Sequence, residues 1–306
     1  MRIYVAGHNG LVGSAVARAI IAGGLHTWFG RTRSELDLFD RNAVFSFIAE
    51  EKPDAVVIAA ARVGGIVANN SHPVEFLTDN LLIETNLLNA CHAAGIERVL
   101  FLGSSCIYPR LADQPIKEEA LLTGPLEPTN ESYALSKIAG IKLVQAYRRQ
   151  FNRRWISAMP TNLYGPNDNF DLESSHVLPA MIRKFHDAKV RDVGSVELWG
   201  TGSPRREFLH VDDLASACLF LLEEFDSDIP INVGVGNDVS IKELAELVRR
   251  TVDFNGEIRW NTDKPDGTPR KLLDVTRLNS LGWEPTISLE KGIAETYEWF
   301  CENFVS

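Results

Sequence analysis

Positive charge is in short supply in this chain: 31 Lys and Arg stand against 41 Asp and Glu, a formal net charge of −10. Phosphate backbones need clustered cations, so a broad nucleic-acid surface is excluded, although a local basic pocket is not. Cysteine is scarce too. Cys91, Cys106, Cys218 and Cys301 lie far apart with no CxxC. That spacing fits reduced thiols in a cytoplasmic protein, and neither a disulfide framework nor a zinc site. Long apolar runs are also missing. The opening MRIYVAGHNG reaches glycine after one short apolar stretch, too little for a signal peptide or a spanning helix. No internal repeat, low-complexity tract or long linker is visible. A membrane is therefore not an expected partner.

What is present is a core-forming composition. The 306 residues, 45% hydrophobic and 24% charged, suit one elaborated domain or two unequal ones. Strands are expected at Arg2–Ala6, His26–Phe29, Asp54–Ala60, Arg98–Leu102 and Trp155–Met159, several as near-continuous apolar runs buried on both faces. Helices are expected between them at Leu11–Ala22, Val74–Ala94 and Ser132–Phe151. Such alternation implies a Rossmann-type, doubly wound parallel sheet with right-handed crossovers. After residue 165 prolines and glycines shorten the elements. Helices are still expected at Val211–Glu223, Ile241–Val252 and Leu289–Asn303. Ser240 with Glu243 reads as a capping box for the second of these. The expected division is 1–165 for the dinucleotide, with returning segments near 207–235, and 166–306 as a smaller mixed α/β substrate lobe.

Gly7-His8-Asn9-Gly10-Leu11-Val12-Gly13 lies between the first strand and the first helix. Glycines there let the backbone turn sharply and bring N–H groups of the helix amino end against a pyrophosphate. At the end of the second strand NAD binders usually place an acid. This chain has Arg31 and Arg33, with Glu35 as the first acid. Guanidinium groups fork onto a 2′-phosphate, so NADP(H) is the expected cofactor.

Tyr133 and Lys137 are four residues apart on an expected helix and share a face. An ammonium beside a phenol tunes its proton, and Ser104, expected to end the fourth strand, can bond the same carbonyl oxygen. These three are the parts of a ketone-reducing site. Cys106 is not needed for reduction; beside a bound ketone it points to proton transfer at the neighbouring carbons. Alternation along an extended strand would aim Ser104 and Cys106 into one pocket. Taken bare, a single cysteine or histidine is more often packed than reactive.

These residues sit in stretches that resemble the extended short-chain dehydrogenases/reductases over nearly the whole chain. The stretches are AGHNGLVGSA, AAARVGGIVANN, FLGSSCIYP, LEPTNESYALSK, MPTNLYGPNDNF, SHVLPA, WGTGSPRREFLHVDD and KPDGTPRKLLDVTRL. The last three resemble the branch that makes GDP-L-fucose from GDP-4-keto-6-deoxy-D-mannose, with epimerisation at carbons 3 and 5 and NADPH-dependent reduction at carbon 4. The resemblance implies that Tyr133 protonates the carbon 4 oxygen with Ser104 and Lys137 assisting. It implies Cys106 as base and His176 as acid for epimerisation. It places Asp37 and Leu38 along adenine, and Leu102, Gly103, Ser104, Ser105, Lys137, Pro160, Thr161, Asn162, Leu163 and His176 against the cofactor. It places Lys184, Trp199, Arg206, Asp266 and Lys271 near the GDP-sugar, with no metal. Homodimers formed through the helices at 74–94 and 132–151 are implied as well. The chain departs from the pattern at Asn9 and Lys184, where Arg is common; Lys184 keeps the charge but loses the fork.

Rival readings stay within the same superfamily or on its fold. A nucleotide-sugar 4,6-dehydratase resembles its relatives in an Asp-Glu pair where this chain has Ser105-Cys106. An NAD-dependent 4-epimerase suits an acid after the second strand, where this chain has Arg31 and Arg33. A non-catalytic NADP-binding sensor typically loses the tyrosine or lysine, and this chain keeps both.

Overall fold

The apolar runs lie side by side. In the computed structural model, which describes residues 1–264 and 266–304, the first half contains β1 (Arg2–Ala6), α1 (Leu11–Gly23), β2 (Thr27–Phe29), α2 (Arg41–Glu51) and β3 (Ala55–Ile58). It continues with α3 (Ile66–Ser71), α4 (Pro73–Ala93), β4 (Arg98–Leu102), α5 (Glu131–Phe151) and β5 (Arg154–Pro160). The second half contains β6 (Asn162–Tyr164), α6 (Val177–Val190), β7 (Ser195–Trp199), β8 (Arg205–Arg206), β9 (Phe208–His210) and α7 (Val211–Glu224). It ends with β10 (Ile231–Val233), β11 (Val239–Ser240), α8 (Ile241–Val252), β12 (Glu257–Asn261), β13 (Arg270–Lys271), α9 (Thr276–Ser280) and α10 (Leu289–Asn303).

Six strands form one parallel sheet in the order β10-β5-β4-β3-β1-β2. The expected return of Ile231–Gly234 is β10, at the edge beside β5. Alternate residues feed opposite faces, which is why these runs read as continuously apolar. Tyr4, Val56, Val99, Phe101 and Trp155 pack toward α2, α4 and α5. Ile3, Val5, Val57, Leu100 and Ile156 pack toward α1 and α7. A third cluster, including Phe170, Ile182, Phe185, Leu244, Val248 and Phe300, fills the carboxy-terminal lobe. No helix among the described residues is long and apolar enough to cross a membrane.

Two helices that the sequence reading left out have physical reasons for existing. Asp40 caps α2 by accepting from the N–H groups of Asn42 and Ala43, and only Val44 and Ile48 of that helix are fully buried. So short an apolar stripe gives a weak periodic signal. Helix α6 contains Pro179, but at its third position, where a backbone N–H has no partner within the helix in any case.

The capping box forms as expected. Ser240 Oγ accepts from Glu243 N at 3.1 Å, and the Glu243 carboxylate accepts from Ser240 N at 2.7 Å. Ser240→Ala is expected to cost about 1 kcal/mol, read as a lower urea midpoint with an unchanged slope; an unmoved midpoint would show that the cap contributes nothing.

Candidate active site

The cofactor end is built by backbone approach. Gly7 has φ +86°, and a Cβ there would lie 2.7 Å from Ala60 N; a Cβ on Gly13 would lie 2.1 Å from the Gly7 carbonyl oxygen. Side chains at either position would fill the cradle. Gly10 caps α1 without a side-chain acceptor, so the first-turn N–H groups of Leu11, Val12 and Gly13 point to an unclaimed anion position. His8 packs over Gly30 and against Trp28, with ring centroids 5.8 Å apart, and Asn9 is exposed.

The two arginines after β2 are not equivalent. Arg31 lies over the Phe47 ring and donates to Glu51 Oε1 at 2.8 Å. Arg33 is exposed, stacks over Phe39 at 5.3 Å and pairs with no carboxylate among the described residues. Arg33 is therefore the freer guanidinium for a 2′-phosphate. Asp37 accepts from Phe39 N, and the Leu38 carbonyl accepts from Asn86 Nδ2, so this short segment is held from both sides.

At the carboxyl edge of the sheet the structure corrects one expectation. Strand β4 ends at Leu102, so Ser104 and Cys106 do not share an extended strand. The chain turns into a 3-10 helix at Ser105–Ile107, and Ser104 Oγ accepts from Cys106 N at 3.3 Å. The turn, not alternation, brings the hydroxyl and the thiol together. Beside them Gly103 N donates to the Ala158 carbonyl. Thr161 Oγ1 and Asn162 Nδ2, following Pro160, both donate to the Glu207 carbonyl, fixing the segment that leads to Leu163.

Tyr133 and Lys137 lie in the first turns of α5, as the spacing predicts. Burial pushes the Tyr133 phenol well above its ordinary pKa; Cys106 and Glu84 add to this, and the Ser104 hydroxyl opposes it. Lys137 is almost fully buried, with Nζ 2.9 Å from Glu84 Oε1 and 5.9 Å from the Tyr133 ring centroid. Burial also raises the Cys106 thiol, while Lys271, Ser104 and Lys137 pull it down. His176 caps α6 with its ring open to the cleft. Desolvation by the surrounding protein lowers its pKa, and the Lys271 ammonium lowers it further. Lys271 thus acts on both Cys106 and His176.

His176 is set in place by a stretch whose purpose the sequence alone did not reveal. Gly65 N donates to the Ser174 carbonyl at 2.9 Å, and a Cβ on Gly65 would lie 2.7 Å from the Ser175 carbonyl oxygen. Asn69 Nδ2 donates to the carbonyls of Gly64 and Gly65, holding that loop in turn.

On the substrate side, β8 and β13 pair in parallel with Arg206 opposite Lys271. Two cations in register suit a diphosphate. Trp199 is 51% exposed, with Lys184 Nζ 5.9 Å and Lys264 Nζ 5.3 Å from its ring. Lys264 was missed by the sequence reading. The Asp266 carboxylate is already engaged, accepting from Thr201 N at 2.7 Å and Thr201 Oγ1 at 2.9 Å, so in this structure it holds the turn after Trp199. Also missed was Glu207, buried beside Arg206, which accepts from the N–H groups of Val235, Gly236 and Leu273. A charged residue flanked by Arg206 and an apolar strand was its only signal.

The chain is similar to known proteins over nearly its whole length. The NAD dependent epimerase/dehydratase family matches residues 3–234. Over 304 residues, 99% of this chain and 93% of the other, identity is 58% to a putative GDP-L-fucose synthase 2 of Arabidopsis thaliana. Identity is 52% over 311 residues to the GDP-L-fucose synthase of Escherichia coli (strain K12), covering 99% of this chain and 97% of the other. The crystal structure of a GDP-L-fucose synthetase from Naegleria fowleri bound to NADP superposes with a TM-score of 0.92 at 29% identity, covering 100% of this chain and 95% of that one.

Arg33→Glu is expected to lower the preference for NADPH over NADH by about tenfold or more, since the guanidinium fork is lost and a repelling charge is gained. Steady-state kinetics with both dinucleotides test this. Unchanged selectivity would assign the 2′-phosphate elsewhere.

Proposed function

As the chain belongs to the NAD-dependent epimerase/dehydratase family and, within it, to the GDP-L-fucose synthases, we propose that a single cleft performs both halves of the conversion of GDP-4-keto-6-deoxy-D-mannose to GDP-L-fucose. The observation that carries this reading is the turn at Ser104–Cys106. It sets a thiol beside the hydroxyl that faces Tyr133, while Lys271 acts on both the thiol and His176.

Hydrogens on carbons 3 and 5 are α to the keto group and acidified by it. Cys106, as thiolate, removes one of them. Burial disfavours the thiolate, and the Lys271 and Lys137 ammonium groups offset that cost. The electron pair moves onto the carbon 4 oxygen, where the Tyr133 and Ser104 hydroxyls stabilise the enolate by hydrogen bonding. His176 returns a proton to the opposite face, and its lowered pKa makes the imidazolium a stronger acid. Collapse of the enolate restores the ketone with one centre inverted; once Cys106 has released its proton to solvent and His176 has regained one, repetition at the other carbon completes a redox-neutral sequence. Reduction then needs a proton on the carbon 4 oxygen, which Tyr133 donates. NADPH, when bound, supplies the hydride; Gly7 to Gly13, Arg33, Lys137 and the 160–163 segment would hold it, with residues 1–165 and the returning 207–235 forming its side of the cleft.

The GDP-sugar would lie against the 166–306 lobe, its diphosphate between Arg206 and Lys271 and its base against Trp199. Homodimerisation through α4 and α5 is part of the same proposal, supported by the exposed Leu82 and Leu135 on those helices. A cytoplasmic setting is supported by four free cysteines.

Cys106→Ser is expected to lower exchange of solvent deuterium into carbons 3 and 5 by about a hundredfold or more, while NADPH binding persists. Any residual NADPH oxidation should give 6-deoxyhexoses with rhamnose or talose configuration. Intact fucose formation would overturn the role of Cys106. Gly65→Ala, which displaces the backbone behind His176, is expected to lower the same exchange about tenfold without changing NADPH affinity; wild-type exchange would remove Gly65 from the positioning of the acid.

A further inference from the structure

Helix α4 buries a carboxylate on its inward side. Glu84 lies among Ile83, Leu87 and Leu88, and its side chain is 1% exposed. The Lys137 ammonium, 3% exposed, is 2.9 Å from Glu84 Oε1, and it lies 4.8 Å from the Phe101 ring centroid. Neither Glu84 oxygen has an aligned hydrogen-bond partner among the described residues, so the contact is an ion pair whose geometry leaves lone pairs unused. A buried pair of this kind is a weak stabilising device, and an apolar replacement of similar volume is often neutral or better for stability. Stability alone does not account for it.

The facing helix is shaped around the pair. Gly140, one turn beyond Lys137 on α5, interrupts a 21-residue helix at a cost of about 1 kcal/mol relative to alanine. A Cβ at that position would lie 2.8 Å from Glu84 Oε2 and 2.3 Å from Phe101 Cζ. The glycine therefore makes the space through which the carboxylate reaches the ammonium.

We infer that Glu84 is a positioning residue for the reductive step, holding the Lys137 ammonium between Phe101 and the Tyr133 ring as its buried counter-ion. The inference rests on the reading of Tyr133 as the acid of that step. The groups that face Tyr133 are Glu84 from α4, Lys137 from its own helix, and Ser104 and Cys106 from the 3-10 turn; Lys271 of β13 lies behind Cys106. Of these, Glu84 and Cys106 disfavour the phenolate and keep the proton on the phenol, while Ser104 favours it. Replacing Glu84 by a neutral amide removes a negative charge near the phenol and leaves Lys137 uncompensated. Both changes favour the phenolate, so the form able to donate a proton is lost at lower pH.

The test is single-turnover NADPH oxidation by the full chain with GDP-4-keto-6-deoxy-D-mannose, followed across pH. Glu84→Gln is expected to lower the rate about tenfold and move the alkaline limb down by about one pH unit. Glu84→Asp, which keeps the carboxylate, should restore most of the limb position. Gly140→Ala keeps every charge but displaces the pair, and should move the limb in the same direction by less. An unmoved limb in Glu84→Gln, with turnover abolished by Tyr133→Phe, overturns the role of Glu84 alone. Turnover that survives Tyr133→Phe overturns the acid assignment and this inference together.

Discussion

The site depends on one buried carboxylate. Glu207 accepts from the N–H groups of Val235 and Gly236, which follow the last strand of the parallel sheet, and from that of Leu273, which follows β13 in the lobe. Its own carbonyl accepts from Thr161 and Asn162, at the exit from β5. Three chain segments far apart in sequence thus meet on one residue. Arg206 precedes it directly, and Lys271 lies opposite Arg206 in register. Removing the carboxylate would leave the buried Leu273 N–H and the half-buried Val235 and Gly236 N–H groups without this acceptor, at about 1–3 kcal/mol for the fully buried one. The position of the substrate cations relative to the sheet edge is therefore fixed by backbone donors, which side-chain substitution elsewhere cannot easily disturb.

Much of this was legible in the chain because the signals are local. A glycine run between a strand and a helix, apolar runs of strand length, and Tyr133 with Lys137 four residues on each declare themselves within a short window. The return of β10 to the sheet was legible as well. Other features were not. The pairing of Ser104 with Cys106 was expected from strand alternation, yet it arises because the strand ends two residues earlier and a turn takes over. Arg31 and Arg33 look alike in sequence; only the packing of α2 against β2 reveals that Glu51 occupies the first. Gly65 and Gly140 read as ordinary loop and helix glycines. Their meaning lies in the Ser175 carbonyl and the Glu84 carboxylate, 110 and 56 residues away respectively, and no local pattern encodes those distances.

The electrostatics follow one theme, a cation set beside each group proposed to handle a proton. Lys137 lies beside Tyr133, and Lys271 acts on both Cys106 and His176. Burial alone would hold the thiol protonated and the imidazole neutral, states poorly suited to a base and an acid. Lys271 opposes burial at the thiol but adds to it at the imidazole, where the same charge makes the imidazolium scarcer and a stronger acid. In the proposed reading a redox-neutral epimerisation and a reduction would share one oxygen-binding corner while drawing on different cations.

The register between β8 and β13 has a further consequence. Arg206 and Lys271 are like charges on adjacent strands, and such neighbours repel. Burial lowers the Lys271 pKa, and Arg206 lowers it further. Glu127 offsets part of that repulsion at both cations, and Asp266 does so at Arg206. In the proposed reading a diphosphate would meet two cations already set side by side, so a nucleotide-linked sugar would gain an attraction that the free sugar lacks.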